Sequence, residues 1–312
     1  MLQKYTPPPA LKNQTKIAIV YHLFINLDYN LSIDIVYPVF QNKYTYFTKE
    51  ILMKNKLKIY TLTSLILSIM VGALRVLSLA ISYDSSVGYF SSSFIVTVTR
   101  ALMIVSLIWL GSSLLFIPKD TINVRTDKQM ASMCISIITG IVFFASGIFR
   151  ILNGTTNLYI LSGALMMISS TAFILKFTKL RKGTAWIEYF AIFSIILMIA
   201  DMHFDYYTAM NSPHKILSQL ALISGALVLL GDMRDSFSES LPRAEFAIGL
   251  IATFLCFVNA ISLTFSFITR LTSENSGFDV SLVVISITLG IYSLEKLAFG
   301  FYSSLPQNPE NE

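Results

Sequence analysis

The sequence predicts an all-α membrane protein of eight transmembrane helices, arranged as four helical hairpins with both termini in the cytoplasm. Three observations predict this fold. The 312 residues are 54% hydrophobic and 13% charged, and a soluble domain has about 25% charged residues. The apolar residues fall in eight long blocks, most of which approach the roughly 20 residues that a helix needs to cross a bilayer. Lys and Arg gather in every second connection, which places those connections in the cytoplasm.

Proline marks the limits of the apolar blocks. None lies inside a block, and Pro118, Pro213 and Pro242 stand between blocks, where a residue that interrupts helices is tolerated. The sixth block is the shortest and the seventh the longest. The predicted spans cover residues 58–82, 94–116, 130–151, 157–175, 186–207, 214–231, 244–269 and 279–299.

The basic residues give the orientation. They precede the first span, fill the second, fourth and sixth connections, as in "KFTKLRKG" after the fourth span, and end the last span with Lys296. The alternate connections contain few, with Lys215 and Arg270 as the main exceptions at helix ends. The formal charge of +5 fits basic cytoplasmic loops and indicates no nucleic-acid partner. We therefore expect a multi-pass protein of the bacterial cytoplasmic membrane.

Residues 1–52 form a polar leader of different character. Residues 16–24 and 31–40 within it could form short strands. Met53, followed by Lys-Asn-Lys-Leu-Lys, is a natural start for a helix whose amino terminus stays inside, and Lys49-Glu50 can be encoded by a bacterial ribosome-binding sequence. Two interpretations stay open. Either translation starts at Met53, or residues 1–52 are a disordered cytoplasmic arm.

Two pairs of spans share a pattern. The first span contains "GALRVL" from Gly72, and the third contains "GIFRIL" from Gly147. The second contains "ALMIVS" from Ala101, and the fourth "SGALMMIS" from Ser162. The shared Gly-x-x-Arg with matched flanks predicts a duplicated helical hairpin. The alternative is chance recurrence, because small residues are frequent wherever membrane helices approach closely.

Charged residues inside a span are costly and are therefore candidates for function. Counting along the spans at about 1.5 Å per residue places Arg75, Arg100, Asp201 and Asn259 in the outer half of the bilayer, with Arg150 nearer the surface. One interpretation is an outward-facing polar pocket. Arg75 and Arg100, partly compensated by Asp201 and helped by Arg150, would bind an anionic group such as a phosphate or carboxylate.

The same residues allow interpretations without a ligand. Arg75 or Arg150 could extend to the lipid phosphates, Arg75 could form a structural pair with Asp201, and Asn259 could join two helices by a hydrogen bond. The segment "DMHFD" at 201–205 places both aspartates on one helix face, whereas His203 points away. We therefore predict no metal site there.

The motifs of membrane enzymes are missing from this sequence. It has no His-Glu-x-x-His, Gly-x-Ser-x-Gly or phosphate-binding loop, and its three histidines are His22, His203 and His214. We expect no enzyme and no cofactor. Two interpretations remain: a binding or transport module whose partners are membrane lipids or an anionic small molecule, and a structural or accessory membrane subunit. An intramembrane enzyme is the least favoured.

The polar residues at the inner ends of the spans are expected to lie at the membrane interface or in solvent. Trp186 and Glu188 are placed as belt residues at the membrane interface. The segment "LEKL" at 294–297 ends the last span, and residues 231–243 are expected to form a solvated loop.

The segment "LRVLSLAISYDSSVGYF" resembles the first helix and outer loop of uncharacterised integral membrane proteins of clostridia and related Firmicutes. The shared features are Leu74-Arg75, followed after one or two helical turns by Asp84, Gly88 and Tyr89. The resemblance covers mainly the first hairpin and implies no activity. It implies a chain that begins near Met53, in agreement with the start expected above.

Overall fold

The computed structural model describes most of the chain, and of residues 33–52 it describes the backbone alone. The described residues are 33–84, 89–118, 122–124, 130–154, 156–176, 185–205, 212–237, 240–269 and 280–303. The chain divides into two units, Met1–Lys49 and Glu50–Glu312. The strand considered for residues 31–40 is wrong, because the backbone is helical from Ile33 onward. The strand considered for residues 16–24 lies outside the described residues, and the two interpretations of the leader stay predictions.

Eight long helices account for most of the described residues, and the all-α fold is confirmed. They are α1 Ile33–Ser82, α2 Phe94–Gly111, α3 Met130–Leu152, α4 Asn157–Leu175, α5 Glu188–Phe204, α6 Pro213–Ser236, α7 Pro242–Ile268 and α8 Val280–Glu295. Three short elements extend them. They are a helical turn Ser113–Phe116 after α2, a 3-10 turn Ala185–Ile187 before α5, and a π-helical turn Lys296–Gly300 after α8.

The predicted span limits hold to within a few residues for most of these helices. Seven of the eight are long and apolar enough to cross a membrane, with the apolar part of α1 at Met53–Ser82. The other, α5, has 17 residues and is preceded by its 3-10 turn. The sixth apolar block is the shortest of the eight, but its helix is not the shortest. Helix α6 has 24 residues, because it continues through Asp232 to Ser236 beyond its apolar block.

Local chemistry explains where several helices begin. Ser93 caps α2 by accepting a hydrogen bond from the Val96 amide, and Thr156 caps α4 through the Tyr159 amide at 3.1 Å. Helices α6 and α7 each begin at a proline, whose fixed φ suits the first helical turn and whose missing N–H needs no partner there.

Six of the helices pack into a closed ring. Each of α3 to α8 contacts the next one along the chain, and α8 closes the ring against α3. Helix α6 also contacts α8. Helix α7 is the most buried span and α2 the least buried. The pairs α3–α4, α5–α6 and α7–α8 are the hairpins that the sequence predicts.

The α1–α2 hairpin packs on this ring through α7. Its two helices are joined by a hydrogen bond of 3.0 Å between the hydroxyls of Ser78 and Thr99. The Ser64 hydroxyl donates to the Leu250 carbonyl of α7 at 2.9 Å, and α2 contacts α7 as well. Since α7 touches α1, α2, α6 and α8, it connects the first hairpin to the ring.

Two short antiparallel ribbons lie at opposite ends of the helices. Strand β1 (Tyr83–Asp84) pairs with β2 (Tyr89–Phe90) in the connection between α1 and α2. Strand β3 (Ile122–Val124), in the connection between α2 and α3, pairs with β4 (Phe301–Ser303) after α8. The second connection and the segment after α8 therefore share one end, as predicted for two cytoplasmic segments.

Candidate functional site

Arg75 lies near the outer end of α1, and its side chain is turned into the protein. The residue is 5% exposed, and its Nε and Nη2 atoms are buried without a hydrogen-bond partner among the described residues. The guanidinium carbon lies 5.2 Å from the centre of the Phe90 ring. A guanidinium donates five hydrogen bonds, and at least two donor atoms of this one have no acceptor in the described part of the chain.

Three aromatic rings, of Tyr83, Phe90 and His214, form an aromatic wall beside this guanidinium. The ring of His214 lies edge-on to Tyr83 at 5.1 Å and stacks on Phe90 at 6.4 Å, and Tyr83 meets Phe90 edge-on at 5.4 Å. Both ring nitrogens of His214 are buried without a hydrogen-bond partner among the described residues. His214 is also the second residue of α6, and the amino-terminal end of a helix attracts anions.

Arg100 adds positive charge beside this site, which we call the outer site and define as Arg75, Tyr83, Phe90, Arg100 and His214. Arg100 is exposed on α2, close enough to Arg75 for the two charges to interact. Burial raises the pKa of the Tyr83 phenol; Arg75 opposes this shift and Asp84 adds to it. Tyr83 therefore keeps its proton at neutral pH and can donate a hydrogen bond. The site combines two positive charges with several unused donors.

Arg150 takes another role. It is 2% exposed, its Nε donates to Ser162 at 2.8 Å, and its Nη1 donates to Ser281 at 3.1 Å. Its guanidinium carbon lies 3.7 Å from the centre of the Tyr159 ring. Snorkelling of Arg150 to the lipid phosphates is therefore wrong, because the side chain is enclosed and joins α3, α4 and α8.

The remaining candidates bind one another or their neighbours. The Asp201 carboxylate lies 3.7 Å from Arg150 and accepts a hydrogen bond of 2.6 Å from Thr156. The expected structural pair of Arg75 with Asp201 is wrong, since Asp201 faces the α3–α4 hairpin. Asn259 accepts from the Ser218 hydroxyl of α6 and donates to the Ser286 hydroxyl of α8, both at 3.0 Å. Its expected role as a helix-to-helix hydrogen bond is confirmed.

The two Gly-x-x-Arg motifs occupy similar places in their hairpins. A methyl group added at Gly72 would lie 2.7 Å from the Ile261 side chain, and one at Gly147 would lie 2.6 Å from the Gly163 carbonyl. Each glycine thus permits a close helix contact, and each arginine three residues later rests on an aromatic ring. The duplication itself stays a prediction.

The hairpins differ around their arginines. Aligning Ala101 with Ala164 places Thr99 opposite Ser162 and Arg100 opposite Gly163. Ser162 accepts the hydrogen bond from Arg150, whereas the Thr99 hydroxyl bonds Ser78 and donates to the carbonyl of its own helix turn. An arginine cannot occupy the backbone contact that Gly163 makes with α3. The two hairpins therefore differ in the side chains that face the arginine, although both arginines are buried.

Sequence reasoning missed a second group of charged residues, at the end of the ring that carries the α4 carboxyl terminus and the start of α7. We call it the inner cluster and define it as Lys176, Asp232, Asp235, Glu245 and Lys296. The Lys296 ammonium contacts the Asp232 carboxylate at 2.8 Å, Asp235 at 3.2 Å and Glu245 at 3.3 Å. Lys176 contacts the other oxygen of Asp232 at 3.0 Å.

Other polar groups adjoin the inner cluster. The Tyr292 hydroxyl donates to Asp232 and contacts Lys176, and Ser132 of α3 donates to Glu295. Glu188 is 5% exposed, so its expected place in the interface belt is wrong. The solvated loop expected over residues 231–243 is also wrong for its first part, because residues up to Ser236 belong to α6 and Asp232 is buried.

Neither site has the composition of a metal centre. No group of three or more His, Cys, Asp or Glu side chains is arranged to hold a metal ion in the described part of the chain. Asp201 is engaged by Arg150, and His203 is exposed.

Comparisons with known proteins add no assignment. No model of a protein family matches the chain, and no similar curated protein or solved structure was found. The chain is described by its own structure as an all-α, multi-pass membrane protein.

Proposed function

We propose that this protein, in a bacterial cytoplasmic membrane, binds an anionic phosphate or carboxylate at the outer site, taken from a lipid headgroup or a solute. The observation that carries the proposal is the buried guanidinium of Arg75, whose Nε and Nη2 have no partner among the described residues. A buried charge without partners is costly. An anion that accepts two hydrogen bonds from the guanidinium would remove that cost.

The contrast between the two arginines supports this proposal. Arg150 donates hydrogen bonds to Ser162 and Ser281 and lies beside Asp201, so contacts within the protein explain its position. Arg75 has a similar position in its hairpin, yet its side chain faces an aromatic wall and a second positive charge. Asp201 and Asn259 belong to the structural contacts described above, so the proposed site reduces to Arg75 and Arg100 among the predicted residues.

The depth of the site favours an anion at the level of the lipid headgroups. Helix α1 ends at Ser82, seven residues beyond Arg75 (82 − 75), which is about 10 Å at about 1.5 Å per residue. The first turn of α6 adds the positive end of a helix dipole beside His214. The resemblance of residues 74–90 to clostridial membrane proteins supports the same location, and catalysis forms no part of the proposal.

A calorimetric titration tests the proposal and separates the two sources of the anion. Purified protein, stripped of lipid in detergent, is titrated with inorganic phosphate and with soluble short-chain phosphatidylglycerol. Arg75→Gln should weaken binding roughly tenfold or more, since hydrogen bonds to charged groups contribute about 1.5–3 kcal/mol. Arg234→Gln, at the inner end of α6, is the matched control and should bind as the wild type does.

The outcomes are distinct. Binding of phosphatidylglycerol alone identifies a lipid headgroup, and binding of inorganic phosphate as well identifies the phosphate group as sufficient. Equal binding by the wild type and Arg75→Gln overturns the proposal. Failure of the wild type to bind either probe also overturns it, and then favours the structural or accessory subunit.

A further inference from the structure

We propose that the inner cluster is a proton-binding site, in which the carboxyl groups of Asp232, Asp235 and Glu245 hold one proton among them at neutral pH. The proposal is independent of the outer site, which lies at the other end of the helices. A solvated loop over residues 231–243, as the sequence predicts, would hold no such proton.

The first step is a count of charges. Lys176 and Lys296 supply two ammonium groups, and Asp232, Asp235 and Glu245 supply three carboxylates, which leaves one negative charge in excess (3 − 2 = 1). Carboxylates that share one site resist full ionisation, and one of them retains its proton. One bound proton would make the inner cluster neutral.

The second step is burial. The side chains of the three carboxylates are 5–8% exposed, Lys296 is 8% exposed, and Lys176 is 12% exposed. Water therefore screens the excess charge poorly. A buried charge without compensation is so costly that protonation of one carboxylate becomes the favoured state.

The third step is the geometry around Lys296. An ammonium has three hydrogens, and Lys296 places them against Asp232 Oδ1, Asp235 Oδ2 and Glu245 Oε2. Glu245 Oε1 accepts from the Leu241 amide at 2.9 Å. Asp235 Oδ1 is buried and has no hydrogen-bond partner among the described residues. This oxygen is the natural position for the proton, because the other carboxylate oxygens named here already accept hydrogen bonds.

Three neighbouring titratable groups in the described part of the chain, Tyr292, Glu295 and Glu188, do not remove the excess. Tyr292 of α8 donates to Asp232 as a neutral phenol. Glu295, which accepts from Ser132 of α3, and Glu188 of α5 both act on the same region. Each of these two adds a negative charge if ionised, so the electrostatic reason for a bound proton becomes stronger.

The position of the inner cluster connects it to the cytoplasm. Its residues come from the inner ends of α4, α6 and α7 and from the π-helical turn after α8. Phe301 of β4 lies 5.9 Å from the Lys296 ammonium and packs edge-on against Phe246. The proton would therefore come from the cytoplasm, on the side of the membrane opposite to the outer site.

Infrared spectroscopy of the purified protein tests the proposal directly. At neutral pH the wild type should show the C=O stretch of a neutral carboxylic acid. Asp235→Asn and Glu245→Gln each equalise the charges of the inner cluster, so each variant should lack this band. Asp84→Asn, on the exposed outer ribbon, is the matched control and should keep it. Absence of the band from the wild type, or its retention in both cluster variants, overturns the proposal.

A stability measurement provides a second readout. If the folded protein holds a proton that the unfolded chain releases, stability falls as the pH rises through neutrality. The melting temperature of the wild type should therefore decrease toward alkaline pH more steeply than that of Asp235→Asn, whose amide needs no proton. Parallel decreases in the two proteins would contradict a bound proton. Should Asp235→Asn not fold, the comparison is made with Glu245→Gln.

Discussion

Replacing the two arginines of the repeated motif by methionine, one at a time, should change stability in opposite directions. Methionine retains an unbranched apolar stem and removes the charge. Arg150→Met should destabilise the protein, because Arg150 is enclosed by partners. Arg75→Met should leave stability unchanged or raise it in protein without a bound anion, because Arg75 buries donors that have no partner among the described residues.

The magnitudes follow from the contacts. Arg150→Met removes the hydrogen bonds to Ser162 and Ser281 and leaves Asp201 with Thr156 as its partner. Breaking a buried pair costs about 3–5 kcal/mol. Because Asp201 is 20% exposed and lies 3.7 Å from Arg150, we expect a loss near the lower end, about 3 kcal/mol.

For Arg75 the cost of its unpartnered donors exceeds the stabilisation from its ring contact, and the expected gain is taken at the low end. Each buried donor without a partner costs about 1–3 kcal/mol, and the variant removes two of them. It also removes the interaction with the Phe90 ring, which contributes about 0.5–1 kcal/mol. We expect Arg75→Met to gain about 1 kcal/mol when no anion is bound, and to lose the stabilisation that an added anion gives the wild type.

Denaturant unfolding in lipid-free detergent, followed by circular dichroism, measures both changes, with Arg234→Met as the control. A second series with added short-chain phosphatidylglycerol should stabilise the wild type and leave Arg75→Met unaffected. If Arg75→Met loses as much stability as Arg150→Met in the lipid-free series, Arg75 has a permanent protein partner. The reasoning for an open site would then be refuted.

Four further substitutions test the packing and the polar contacts. Gly147→Ala should lose about 2 kcal/mol of stability by overpacking, since its methyl group would lie 2.6 Å from the Gly163 carbonyl. Its control, Gly111→Ala, has nothing within 4 Å and should gain about 0.5–1 kcal/mol from helix propensity. Equal melting temperatures of the two variants would contradict the contact between Gly147 and Gly163. Asn259→Leu should lose about 1–2 kcal/mol of stability, because it leaves two serine hydroxyls of neighbouring helices without their partner. The same unfolding assay measures this loss, and unchanged stability would mean that the serines find other partners. Tyr292→Phe should lose about 1 kcal/mol through its missing donor to a buried carboxylate, and a stabilised variant would show that this hydroxyl is not needed there.

The helices were predictable because the bilayer sets their length and their composition. A helix that crosses it needs a block of apolar residues, and a proline or a capping hydroxyl sets the start of several of these blocks, as Pro213, Pro242 and Thr156 do. The closed ring of α3 to α8 was not predictable. Apolar residues lie on both the lipid-facing and the core-facing sides of the spans, so the sequence carries little information about which faces meet.

The outer site was predictable in part. Depth along a helix follows from counting residues, and Arg75 and Asp201 do lie toward the carboxyl ends of their helices. Which residues pair depends on how the hairpins are arranged around the ring. Asp201 of α5 lies beside α4 and α3 and therefore meets Arg150. His214 was passed over because a single histidine at a helix start gives no motif, and its contact with Tyr83 needs the position of α6 beside the first hairpin.

The inner cluster was missed for a physical reason that also suggests how to find such groups. Its pairs are far apart in sequence, 56 residues between Lys176 and Asp232 and 51 between Glu245 and Lys296, so each residue alone resembles a solvated charge at the end of a span. Such a group is indicated by a helix that is longer than its apolar block. Helix α6 continues to Ser236 although its apolar block ends at residue 231. Where a helix extends beyond its apolar block inside a bundle, its charged residues face neighbouring helices instead of water. Each of these residues then needs a hydrogen-bond partner, a counter-charge or a proton.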